Sequence, residues 1–229
     1  MNKIKAKTPL QDSGERTHFE TGAMREIVQG KGRFDLLPLA EISNIVTQLN
    51  VDDYNAIFRT LLIEERPPKR GELDELEVRI IAQIYFQLNL FRKLGSYQTL
   101  LSTFHLGVIL NAYKSGVKLD SIQALNSEYT TFFFNTLWEL AKHYENGALK
   151  YEVRNWEKGL PLHSFIDSAL RHLTKVMVGL EDEPHNIAFL WNIVCAMYTK
   201  VNHPSLDDFT VAGIKRMESN QYVRLSTIQ

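Results

Sequence analysis

The sequence contains a single cysteine, Cys195, in 229 residues. One thiol can form no disulfide within the chain, and it excludes a zinc site built from cysteines. Cys195 follows Ile193-Val194 and precedes Ala196-Met197, which is an apolar setting. It is therefore predicted to be a small buried hydrophobic residue and not a nucleophile.

The chain also lacks an excess of charge and a long apolar run. Its formal net charge of -1 argues against a non-specific nucleic-acid coat, which needs a basic surface. No direct binding of nucleic acid is therefore expected. No apolar run is long enough to span a bilayer, and residues 1–16 lack a signal-peptide core, so the protein is predicted to be soluble and cytoplasmic.

No stretch shows the sustained two-residue alternation of a half-buried strand, and the apolar residues recur instead at steps of three and four. The sequence therefore predicts an all-α protein. Its apolar content of 44% is enough to build the core of one large domain or two small ones. Helices are predicted over residues 38–49, 51–65, 76–95, 97–115, 120–144, 162–178, 187–200 and 206–217, with a linker at 66–71.

Polar residues are unusually dense between Tyr144 and Asn192, where they alternate with apolar residues at helical spacing, and this pattern indicates a site. A second candidate segment is Gly30-Lys31-Gly32-Arg33, whose glycines permit close backbone approach to a ligand. Its lysine and arginine suit phosphate oxygens. A solvated basic turn before a helix is the alternative interpretation of this segment.

Several motifs occur in an order that resembles the phage dATP/dGTP diphosphohydrolase family, which is similar to the MazG-like all-α nucleotide pyrophosphohydrolases. The motifs are Glu20-Thr21-Gly22-Ala23, Gly30 to Pro38, Gly147 to Tyr151, Arg154-Asn155-Trp156-Glu157-Lys158-Gly159, Ser168 to His172, Asp182-Glu183-Pro184-His185 and Trp191-Asn192. The resemblance covers roughly residues 19–65 and 136–200.

This resemblance implies a MazG-like helical bundle with a helical insertion. Residues 1–18 are polar with little apolar content and are predicted to be a flexible arm. The further predicted divisions are 19–65 for the N-terminal motif and first helices, 66–130 for the insertion, and 131–229 for the catalytic helices and C-terminal tail. The resemblance also implies a homodimer or homotetramer, and a location in the host cytoplasm if the gene belongs to a phage.

The activity that the resemblance implies is hydrolysis of a deoxypurine nucleoside triphosphate to a monophosphate and pyrophosphate, with Mg²⁺ or Mn²⁺ as cofactor. A polyphosphate needs cations around it, and a metal ion also activates the attacking water. The Glu-Glu-x-x-Glu signature that is usual in MazG-like enzymes is absent from the matched segments. The metal ligands therefore have to be argued from this sequence.

Spacing supplies candidates for the metal and for catalysis. Asp182 and His185 are three residues apart across a helix start, with Glu183 beside them. The predicted metal ligands are Asp182, Glu183, His185 and Asp167, and the predicted catalytic residues are Asp182, Glu183, Glu145 and His172. The alternatives are a solvated helix N-terminus for Asp182-Glu183, a surface ion pair between Asp167 and Arg171, and a core histidine for His172.

The predicted substrate-binding residues supply cations, aromatic rings and amides. The set comprises Lys31, Arg33, Asp35, Lys150, Tyr151, Arg154, Asn155, Trp156, Lys158, Arg171 and Asn192. The cations suit phosphate, the rings suit a base, and the amides suit a purine edge. Alternatively, Trp156 plugs the core and the two asparagines cap helices or bind a buried carbonyl.

A different class of function stays open at this point. A nucleotide-binding protein that sequesters a nucleotide signal would keep the pocket without turnover, and the missing glutamate signature favours it. The retained Asp182, Glu183 and His185 favour the hydrolase.

Overall fold

A computed structural model of the chain describes residues 16–26, 29–47, 75–116 and 122–226. Within these ranges seven α-helices follow one another: α1 (Leu39–Thr47), α2 (Glu75–Leu94), α3 (Tyr97–Lys114), α4 (Ile122–Lys150), α5 (Leu162–Met177), α6 (His185–Asn202) and α7 (Val211–Ser226). Short 3-10 turns occupy Phe34–Leu36, Asn155–Lys158 and Pro204–Leu206. The predicted all-α class is confirmed. No helix of the described residues combines the length and the apolar character that crossing a membrane requires.

A small antiparallel hairpin precedes the helices and was not predicted. Strands β1 (Arg16–His18) and β2 (Met24–Glu26) pair with Arg16 opposite Glu26. The turn between them is closed by a 2.8 Å hydrogen bond from the Gly22 amide to the Phe19 carbonyl. Strands of three residues are too short to show an alternating pattern in the sequence, which explains the omission.

Two helix ends differ from the prediction. Helix α4 continues to Lys150, so the site motif that begins at Gly147 starts on a helix. Helix α7 begins at Val211 and not at residue 206, because Thr210 caps its N-terminus. The Thr210 hydroxyl accepts a hydrogen bond from the Gly213 amide (3.1 Å) and donates one to the Asp207 carboxylate (2.6 Å). The helix predicted over 51–65, the linker at 66–71 and residues 1–15 of the arm lie outside the described residues.

Helix α3 lies at the centre of the core. Its buried residues are distributed around the whole helix, as expected of a helix surrounded by others. It packs against α2, α4 and α6, and the side chains of all four helices share one hydrophobic cluster. The described part of the segment predicted as an insertion, residues 66–130, therefore contributes to the same core as the site helices. The proposed domain boundaries stay a prediction.

The close approach of α3 to α6 depends on Gly107. A Cβ atom at this position would lie 2.6 Å from Leu190 Cδ2 and 2.7 Å from Phe189 Cε1, and both partners are buried side chains of α6. Replacing Gly107 by alanine should therefore force two packed helices apart.

We expect Gly107→Ala to lower the free energy of unfolding by about 1–3 kcal/mol, the usual cost of overpacking a core. The matched control is Gly147→Ala in α4, where an added Cβ meets nothing within 4 Å. This control should be stabilised by about 0.5–1 kcal/mol, because alanine favours a helix over glycine. Urea denaturation of both variants measures the difference. Stabilisation of both would contradict the close contact between α3 and α6.

Candidate functional site

A cavity of about 830 Å³ lies between the C-terminal part of α4, the 3-10 turn that follows it, α5 and the start of α6. Ten of the residues predicted from the sequence line it: Lys150, Tyr151, Arg154, Asn155, Trp156, Asp167, Arg171, His172, Glu183 and Asn192. These residues come from separate motifs, and the fold brings them to one place.

The two helices that carry most of the site, α5 and α6, pack face to face. Helix α5 buries one apolar stripe, formed by Leu162, Phe165, Ile166, Ala169 and Leu173. The connection from α5 to α6 is short and turns at Gly179, whose φ of 70° lies in the left-handed region that favours glycine. The antiparallel arrangement brings the rings of His172 and His185 to a centroid separation of 5.3 Å.

His172, Glu183 and His185 form a compact cluster of possible metal ligands. The two Nδ1 atoms are 3.1 Å apart, and Glu183 Oε1 lies 3.3 Å from His172 Nδ1 and 3.2 Å from His185 Nδ1. The side chain of His185 is 1% exposed, that of His172 is 17% exposed, and Glu183 is open to solvent. The predicted ligands Glu183 and His185 therefore lie together, and His172, predicted as catalytic, joins them.

Asp182 contacts His185 at the ring nitrogen that faces away from the cluster. Its Oδ1 atom is 2.7 Å from Nε2 of His185, on the opposite edge of the ring from Glu183, and its Oδ2 atom is 3.3 Å from Lys175 Nζ. The hydrogen bond from His185 lowers the pKa of Asp182 below its ordinary value. Asp182 is thus placed to orient an imidazole.

Asp167 lies outside the cluster. Its carboxylate pairs with Arg171 at 2.6 Å on the exposed face of α5. This is the surface ion pair that the sequence analysis gave as the alternative. The assignments of Asp167 and Asp182 as direct metal ligands stay predictions.

His143 belongs to the site and was not singled out from the sequence. It lines the cavity on α4, and its ring lies 5.8 Å from that of Trp191. Burial lowers the pKa of both His143 and His172, although the nearby Glu183 carboxylate opposes the shift in each. Neutral imidazoles with available lone pairs are thereby favoured. The sequence feature that could have indicated His143 is its place directly before Tyr144, the first residue of the polar stretch.

The predicted phosphate-binding cations are paired with carboxylates. Arg154 Nη1 is 2.5 Å from Glu157 Oε1, and Lys158 Nζ is 2.5 Å from Glu152 Oε2. The charged residues that line the cavity are Lys150, Arg154 and Arg171 against Glu152, Asp167 and Glu183. Among these aspartates, glutamates, lysines and arginines the two signs are therefore equal in number. Lys158 is not among the lining residues.

Arg154 has an unusual backbone. Its φ of 60° makes it the single non-glycine residue in the left-handed region among those that the structure describes. Such a conformation costs on the order of 1 kcal/mol and persists where the surroundings hold it. The guanidinium is held by Glu157 and by the Asp35 carbonyl, which Nη2 contacts at 2.9 Å. This contact joins the N-terminal motif to the site loop.

The N-terminal motif folds back onto α4. The Glu145 carboxylate, in a residue that is 8% exposed, accepts hydrogen bonds from the Gly30 amide (2.8 Å) and the Gly32 amide (2.9 Å). Arg33 and Asp35 pair with each other at 2.6 Å, and the bond to Arg33 lowers the pKa of Asp35.

The motif reaches the cavity through Leu36, whereas Lys31, Arg33 and Asp35 do not line it. Glu145 is engaged with the glycine loop in this arrangement. Its catalytic role and the substrate contacts of the motif stay predictions.

The aromatic and amide side chains occupy different environments. Trp156 packs edge-on against Tyr144 at 5.5 Å and Tyr198 at 4.8 Å, as the core-plug alternative requires. Tyr151 is exposed, with Lys150 Nζ 5.1 Å from its ring centroid. Asn192 is buried, and its Nδ2 donates to the Ala188 carbonyl at 2.8 Å, so its Oδ1 remains as an acceptor at the cavity wall.

The two bonds to Glu145 should protect the glycine loop from proteolysis. In Glu145→Ala, we expect trypsin to cleave after Lys31 and Arg33 at least about ten times faster, because two hydrogen bonds to a charged group are each worth about 1.5–3 kcal/mol. Glu139→Ala is the matched control on the same helix, since Glu139 is exposed and pairs with Lys142. Mass spectrometry of the fragments gives both rates. Equal cleavage of the two variants would contradict the anchoring role of Glu145.

Comparison with known proteins identifies the segment that carries the site. Residues 116–209 match the family model described as dATP/dGTP diphosphohydrolase, N-terminal. The matched range contains every residue that lines the cavity except Leu36, and it leaves the 19–65 part of the predicted resemblance unmatched. No curated protein and no solved structure matches the chain. The phage origin and the MazG-like relationship stay predictions. The match shows that residues 116–209 are similar to the dATP/dGTP diphosphohydrolase family, and it supports the resemblance predicted from the motifs.

Proposed function

We propose that this protein binds deoxypurine nucleoside triphosphates in the cavity and hydrolyses them between the α and β phosphates, releasing pyrophosphate. The observation that carries the proposal is that the motifs of the family-matched segment line one cavity, beside a cluster of side chains that could bind a metal ion. The cavity volume of about 830 Å³ lies in the range of small-molecule sites, about 300–1,000 Å³.

The balance of charge in the cavity explains the need for a cation. Three basic and three acidic residues line the wall, so the side chains alone do not neutralise a polyphosphate. Arg154 is paired with Glu157, and Arg171 is paired with Asp167 and Ser168. Lys150 offers a direct contact, and Arg171 offers the guanidinium N–H groups that these two bonds leave over. A divalent ion, Mg²⁺ or Mn²⁺, held by Glu183 with His172 and His185 would supply the missing positive charge and would acidify a bound water.

The proton of the attacking water needs an acceptor. His143 lines the cavity, and its burial lowers the pKa of the imidazole, which favours the neutral form that accepts a proton. We assign His143 this general-base role. Asp182 keeps His185 oriented through its 2.7 Å hydrogen bond and does not touch the substrate in this scheme.

We propose that Asn192 and Tyr151 bind the purine base. With Nδ2 committed to the Ala188 carbonyl, Asn192 Oδ1 accepts from an exocyclic amine, which adenine and guanine both carry. Tyr151 offers an exposed ring face for stacking. Homodimer or homotetramer formation and the absence of direct nucleic-acid binding belong to the proposal as well.

A sequestering protein without turnover is the second candidate function. It is favoured by the absence of the Glu-Glu-x-x-Glu signature and by the carboxylate partners that already occupy Arg154 and Arg171. Such a protein would bind the same nucleotides and release no pyrophosphate.

Pyrophosphate release from each of the four deoxynucleoside triphosphates, with Mg²⁺ or Mn²⁺, tests the proposal. We expect turnover of dATP and dGTP well above that of the pyrimidine nucleotides. Arg171→Ala should lower kcat/KM by about 10- to 100-fold, because a hydrogen bond to a charged group is worth about 1.5–3 kcal/mol. Arg216→Ala is the matched control: Arg216 contacts the Pro204 carbonyl and does not line the cavity. Tight binding of dGTP without pyrophosphate would favour the sequestering protein.

A further inference from the structure

The cluster of His172, Glu183 and His185 poses a hydrogen-bonding problem. Asp182 accepts a hydrogen bond from Nε2 of His185, so in the neutral ring that nitrogen carries the proton and Nδ1 carries a lone pair. This lone pair lies 3.2 Å from Glu183 Oε1, which as a carboxylate oxygen is also an acceptor. Two acceptors in contact repel each other unless a positive group lies between them.

A proton solves the problem only in part. If Nδ1 of His172 carries one, it can point to the Nδ1 of His185 or to Glu183 Oε1, which are 3.1 Å and 3.3 Å away. One proton therefore satisfies one contact and leaves another unfavourable. A dication in the centre would satisfy all three atoms at once.

The separations fit such an ion. Donor atoms about 2.1 Å from one ion, and spaced at tetrahedral or octahedral angles around it, lie about 3.0–3.4 Å from one another. The three separations in the cluster are 3.1, 3.2 and 3.3 Å. Asp182 completes the arrangement, since metal-binding histidines commonly donate their other N–H to a carboxylate.

The chemistry of the donors restricts the metal. Two imidazole nitrogens and one carboxylate oxygen suit first-row transition metals, whereas Mg²⁺ takes oxygen ligands and keeps its waters. His185 is fully enclosed, so its nitrogen cannot be replaced by a water without repacking.

We propose that His172, Glu183 and His185 form a binding site for a transition-metal dication such as Mn²⁺, with Asp182 as the residue that orients His185. The inference rests on the proposed function for the role of the ion, and it narrows the cofactor from Mg²⁺ or Mn²⁺ to the metals that accept imidazole. Asp182 becomes a positioning residue and not a ligand.

Calorimetric titration of the chelator-treated protein with MnCl₂ and with MgCl₂, in the absence of nucleotide, tests the site. We expect one Mn²⁺ per chain and at least about tenfold weaker binding of Mg²⁺. His172→Ala should weaken Mn²⁺ binding at least tenfold, and Asp182→Asn should weaken it by about 10- to 100-fold, as orienting partners do.

The matched control is His163→Ala. His163 also lines the cavity and contacts a carboxylate, with Nδ1 at 2.5 Å from Asp208 Oδ2, but it has no place in the cluster. Its loss should leave Mn²⁺ binding unchanged. Glu183→Gln serves as a second variant if His172→Ala does not fold, since Glu183 is exposed and glutamine keeps its shape.

Mg²⁺ binding as tight as Mn²⁺ binding, or Mn²⁺ binding that survives both the His172 and Glu183 changes, would overturn the site. Pyrophosphate release, measured separately, keeps the two proposals apart. A protein that binds Mn²⁺ at this site and releases no pyrophosphate would refute the hydrolase and leave the metal site standing. Pyrophosphate release by a protein whose Mn²⁺ binding survives both changes would refute the metal site and leave the hydrolase standing.

Discussion

The packing of α5 against α6 is the constraint on which the rest of the site depends. Apolar burial along this seam is worth about 1.5–3 kcal/mol for each large side chain, and Phe165 and Leu173 are both enclosed there. The seam fixes the separation of the two helices, so the polar residues at its open end have no freedom to move apart. His172 and His185 therefore meet at 3.1 Å because of the core beneath them. The apolar packing between α5 and α6 offsets the unfavourable free energy of holding these polar side chains close together.

Anchoring of the N-terminal motif is the second consequence of this architecture. Glu145 lies on α4, and Arg154 lies in the connection that follows this helix. Both side chains form hydrogen bonds with main-chain atoms of the segment that precedes α1. The left-handed backbone of Arg154 is tolerable because its guanidinium has two partners. A segment more than a hundred positions away in the sequence thus becomes part of the wall beside the cavity, through Leu36.

Periodicity predicted most helices well, since apolar spacing follows directly from which face is buried. The class, the order of the helices and ten of the residues that line the cavity came from that pattern and from the motifs. Neither periodicity nor motifs predicted which side chains of different motifs contact each other. Spacing suggested that Asp182 binds a metal, but it did not show that the Asp182 carboxylate contacts Nε2 of His185.

Other features have no local signal at all. The hairpin at 16–26 is too short for a pattern, and the Gly107 contact depends on a helix eighty residues later. His143 is an ordinary residue of a helical pattern until the fold brings Glu183 near it. Such information lies in long-range contacts, which one sequence does not contain. The motifs predicted site residues correctly where those residues are close together in the sequence and lie on helices.

The central claim is that the cavity between α4, α5 and α6 holds the nucleotide. Hydrogen–deuterium exchange with a dGTP analogue that cannot be hydrolysed between its α and β phosphates, in the presence of Mn²⁺, tests it most directly. The account predicts slower exchange at residues 151–160 and 178–184, the two connections that border the cavity, with little change in α2 and α7. Slower exchange confined to α2 or α7, or none anywhere at saturating analogue, would contradict it.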